Sequence, residues 1–99
     1  MEARVMAAEL APEADREERW LEAAKHKIDR MIELAEDAGL LGWQSYIDTC
    51  WNAAVVKGRW KVARSIGADA DHLHTLYCEI IVSQDAKVAA LERLKQLNL

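Results

Sequence analysis

Leu21, Ala24, Ile28, Met31, Ala35 and Ala38 recur at alternating spacings of three and four residues, the period that gathers side chains on one face of an α-helix. Pro12 suits the first turn of that helix, and Glu13, Asp15, Glu17 and Glu18 suit the positive end of its dipole. Gly39 then reads as the left-handed residue that stops it. The stripe is narrow on a strongly charged helix, so it packs onto its own domain or pairs with a helix of a second copy, a homodimer.

Residues 41–57 carry the clearest amphipathic pattern. Trp43, Tyr46, Ile47, Cys50, Trp51, Ala54 and Val55 line one side, opposite Gln44, Asp48, Thr49 and Asn52. This predicts the central helix of the core, with Trp43 and Trp51 inward. Gly58 is expected to interrupt or kink the chain, leaving residues 59–66 as a short third helix with Trp60 and Ala63 inward. Gly67 and Ala68 form a turn, and Asp69 or Asp71 is a natural N-cap for a helix burying Leu73, Leu76, Tyr77, Ile80 and Ile81. Asp85 is expected to start a last helix with Val88, Leu91, Leu94 and Leu97 inward, because an unbroken helix over 70–97 would be long for so small a domain. The pattern therefore predicts an all-α, compact four- to five-helix domain spanning 1–99, with 1–11 as a flexible N-terminal segment.

Composition agrees: among 99 residues there is one Pro and four Gly, few breakers for a helical chain. No apolar run approaches the roughly 20 residues of a membrane span. The first ten residues are too short and too charged for a secretory signal, and Cys50 and Cys78 lack any framework spacing. These features read as a cytoplasmic protein with reduced thiols and no membrane partner. Charge changes the picture by segment. Residues 1–39 carry 6 basic and 11 acidic side chains, residues 40–66 carry 4 basic and 1 acidic, and residues 67–83 carry 3 acidic and no Lys or Arg. The positive cluster is Lys57, Arg59, Lys61 and Arg64, a local patch on a chain of net charge −4.

The turn region carries a resemblance. Ala63, Gly67, Leu73 and Leu76, with Val62 and Ile66 in support, resemble the helix-turn-helix shared by phage-repressor-like and MerR-like regulators, here over 59–81. The resemblance implies a second helix placed in the major groove of DNA, with Asp69, Asp71, His72 and Thr75 toward the bases, and Ala70 and His74 beside them. It makes nucleic acid an alternative partner, bound through 57–76. Two carboxylates near phosphates oppose that use, and Arg59, Lys61 and Arg64 offset them only in part. Gly58, Trp60 and Ala63 are also similar to the turn of a tetratricopeptide repeat, but copies at the family's spacing of about 34 residues are missing.

Candidate chemistry is sparse. Asp71, His74 and Cys78 share one helix face and are legitimate metal ligands, yet a core-edge histidine and a thiol explain them without a metal. There is no phosphate loop, nucleophile elbow or HExxH, so no enzyme, cofactor or metal site is expected. Four tryptophans and no Phe are an unusual balance. Trp20 and Trp60 lie among charged residues and are the candidate anchors for a protein partner, together with Arg59, Lys61 and Arg64. The expectation is a non-enzymatic, acidic helical protein that binds and regulates or inhibits a macromolecular partner. In size and charge it is similar to bacterial and phage inhibitors such as anti-activators and anti-CRISPR proteins; the alternative is a helix-turn-helix transcriptional regulator.

Overall fold

The computed structural model describes residues 12–99, with side chains from Arg16 onward; the N-terminal segment 1–11 lies outside the described residues. Within them the chain is all-α and forms three helices, not four or five: α1 (Pro12–Asp37), α2 (Trp43–Ser65) and α3 (Ala70–Leu97). Two predicted breaks are absent. Gly58 continues α2 in ordinary helical backbone, because one interior glycine costs only about 1 kcal/mol and tertiary packing outweighs it. The second break, at 82–85, fails because the contact seam of α3 runs straight through it. Leu73, Leu76, Ile80, Ser83, Lys87, Ala90 and Leu94 are all buried or half-buried, at spacings of three and four throughout. A true break would have shifted that phase.

The stops form as the residues dictate. Gly39 and Gly67 both adopt left-handed backbone (φ 64° and 77°). At the first, the Leu40 N–H donates to Ala35 and the Gly39 N–H to Glu36; at the second, Ala68 donates to Ala63 and Gly67 to Arg64. Both are Schellman stops, which satisfy carbonyls the helix end would otherwise leave open. Asp69 caps α3, its carboxylate accepting the His72 N–H at 2.8 Å.

The helices lie side by side in one layer. α2 packs against both neighbours, whereas α1 and α3 do not approach each other's backbone among the described residues. The layer is 33 Å across and 11 Å thick, about one helix diameter. α2 and α3 form an antiparallel hairpin along their length. Its open end is clamped by Asn98, which accepts the Leu41 N–H at 2.8 Å and donates to the Leu41 carbonyl at 3.0 Å. A helix-turn-helix corner needs a crossing nearer a right angle, so the expected corner at 59–81 is instead the closed end of this hairpin.

A single layer has no closed core. Ala24, Ala35, Ile47, Cys50, Ala53, Val56, Val62, Ala63, Leu76 and Ala90 are buried, but no large side chain among the described residues is sealed completely. Leu34, Leu41, Ile66, Tyr77, Ile81, Val82 and Val88 remain exposed.

Candidate interaction surface

Trp20 is where the sequence expectation changes most. It is not a free anchor. The ring is half-buried between α1 and α2, its indole N–H donates to the Ala54 carbonyl at 2.7 Å, and Lys61 Nζ sits 4.3 Å from the ring centroid. Gly58 lies one turn after Ala54 and provides the flat spot the indole rests on. A methyl group there would stand 2.7 Å from Trp20 Nε1 and closer still to the ring carbon beside it. Trp51 differs in the opposite sense: placed in the core by its stripe, it is 36% exposed, because α2 has a neighbour on each side and its outer faces are uncovered. Trp43 and Trp60 are half-buried.

The five expected partner-binding residues fall into two ring–cation pairs and one separate residue, Arg59. Trp20 and Lys61 stack together, and Arg64 lies 5.3 Å from the Trp60 ring centroid. Arg59 points to another side of α2, where it lines a groove with Asn52, Val56, His74, Cys78 and Glu79. Of the residues implied by the helix-turn-helix resemblance, Asp69, Asp71, His72 and Thr75 are exposed at the start of α3. Asp69 is engaged as a cap, and the Thr75 hydroxyl donates to the Asp71 carbonyl at 3.0 Å. Cys78 Sγ lies 3.7 Å from His74 Nε2. No group of three metal-ligating side chains comes together among the described residues.

Two grooves flank α2 among the described residues. The larger, about 650 Å³, lies between α2 and α3 and bears both charge signs in Arg59 and Glu79. The smaller, about 300 Å³, opens on the other side of α2 and draws on all three helices. Its floor is Trp20, Ala24, Ile28, Met31, Cys50, Ala53 and Ala54, and Lys27 from α1, Lys57 from α2 and Lys87 from α3 border it. Gln84 is the remaining polar side chain of the lining. Tyr46 stands one turn before Cys50 on α2; burial, and then the adjacent Cys50 thiol, push its phenol above the ordinary value.

The three lysines are not recognisable as a set from their positions in the chain. No local window contains more than one of them, so only the placement of α1 and α3 on either side of α2 could have joined them. A partial signal exists: Lys57 falls seven residues after Cys50 and three after Ala54, and Lys27 seven after Trp20 and four before Met31, on the stripes that carry the floor.

No helix among the described residues is long and apolar enough to cross a membrane. Comparison with protein-family models, with curated proteins and with solved structures finds no match.

Proposed function

We propose that this chain is a non-enzymatic interaction protein that binds a protein partner and regulates it by occlusion, in the manner of small inhibitors. The observation that carries the reading is the single helical layer. Stable domains are built from at least two packed layers around a shared core, and the described residues form one. The exposed side chains include Leu34, Tyr77, Ile81 and Val88, so a partner that covers a face removes apolar area from water.

The test is affinity capture of the tagged chain from lysate of its own host, with and without nuclease, followed by titration of the captured species. A protein retained at constant stoichiometry after nuclease treatment is the expected result. Retention of DNA alone, lost as salt is raised, would overturn it in favour of a nucleic-acid reader.

A further inference from the structure

The groove over α2 has a definite chemistry, and it deepens the proposed function, on which it rests. Its floor is apolar, and its border holds three cations, Lys27, Lys57 and Lys87. None of the three is in an ion pair: the ion pairs among the described residues that involve neighbouring charges are Arg30–Glu33 and Lys95–Glu92, each within one helix. Lys87 is the telling member. It occupies the contact seam of α3, one turn after Ser83 and three residues before Ala90, and is itself half-buried. The three ammonium groups give the apolar floor a positive rim, which an arriving carboxylate complements.

We infer that this groove seats an amphipathic α-helix of another protein, apolar along one stripe and flanked by Asp or Glu, laid over α2 between α1 and α3. The shape fits. The groove runs along α1 from Trp20 to Met31, about 16 Å of helix or three turns, long enough for apolar anchors at i, i+4 and i+7. The alanines of the floor, Ala24, Ala53 and Ala54, with Ala23 beside them, let a helix approach closely. The charge selects the occupant: two copies docked groove to groove would bring six lysines together, whereas an acidic helix pairs with all three. Cationic helices are repelled.

A displayed library of 15-residue helical peptides, randomised at their exposed and apolar positions, is selected against the full chain. The recovered peptides are then titrated against the chain and against the triple charge reversal Lys27→Glu, Lys57→Glu, Lys87→Glu, with circular dichroism confirming that the variant keeps its helices. Should Lys87→Glu disturb the seam, the double reversal at the exposed Lys27 and Lys57 serves instead. Expected are recovered peptides rich in Asp and Glu beside an apolar stripe, binding the reversed chain at least about 30-fold more weakly, as loss of several charge pairs implies. Recovered peptides without acidic bias, or with equal affinity for both chains, would overturn the inference. So would dodecanoate occupying the groove where no peptide does, or a dimer in light scattering that the reversal dissolves. If the reversed chain still captures the same protein from host lysate, the partner uses another face: the groove inference falls and the proposed function stands. If neither chain captures a protein, both fall.

Discussion

α2 is held by its two neighbours in different ways. Toward α3 the contact is distributed: a seam of alternating threes and fours from Leu73 to Leu94, closed at one end by the Gly67 stop and the Asp69 cap and at the other by Asn98. Toward α1 the apolar stripe from Leu21 through Ala24, Ile28 and Met31 to Ala35 is buried or half-buried, and to it is added one specific contact, the Trp20 indole laid on Gly58 and bonded to Ala54. A seam of interchangeable apolar contacts loses little when one goes, whereas the indole, its hydrogen bond and the glycine it rests on are lost as a unit. The helix that is pinned is also the wall of the lysine groove, so the stability of α1 and the integrity of the groove are linked.

Trp20→Ala breaks the comparison most directly. Losing the ring and its hydrogen bond is expected to cost about 3 kcal/mol, and hydrogen exchange should show α1 losing more protection than the α2–α3 hairpin. Gly58→Ala comes next, and its sign is the interest. In an open helix the change would stabilise by about 1 kcal/mol; here the methyl meets the indole, and a loss of about 2 kcal/mol is expected. Combined with Trp20→Ala it should turn neutral or stabilising, a coupling that a thermal-denaturation double-mutant cycle reads.

Asn98→Ala, on the distributed side, is expected to cost only about 1 kcal/mol and to fray the last turn of α3 without releasing α1. The smallest effect belongs to pH. The Tyr46 phenol is raised above its ordinary value of 10.0 in the fold, so the unfolded chain gives up this proton first. Its contribution is fully present below pH 10 and is lost as pH climbs through the raised value. Thermal melts at rising alkaline pH should fall less steeply for Tyr46→Phe than for the parent.

The all-α class was legible, as were the stops at Gly39 and Gly67 and the cap at Asp69, because these depend on local backbone chemistry. The number of helices was not. Gly58 looks like a break because its partner Trp20 lies 38 positions earlier, and only that contact explains a glycine inside a helix. The seam of α3 was obscured by Ser83 and Lys87, two polar residues standing where a periodic reading expects Leu or Ile. The tryptophans were misassigned for a related reason. A stripe tells which face of a helix is apolar, and α2 is apolar on more sides than a layer can cover, so Trp51 is left half outside. The groove was least legible of all, being assembled from three helices whose lysines look, one at a time, like ordinary solvated charges.

Lysine footprinting is the most direct test of the claim that the groove is a covered surface in the host. The tagged chain would be labelled with an amine-reactive ester once in host lysate and once pure at the same concentration, with Lys25 and Lys95 as references outside the groove. The account predicts that Lys27, Lys57 and Lys87 lose labelling together in the lysate while the references do not. Equal labelling of all five in both settings would contradict it.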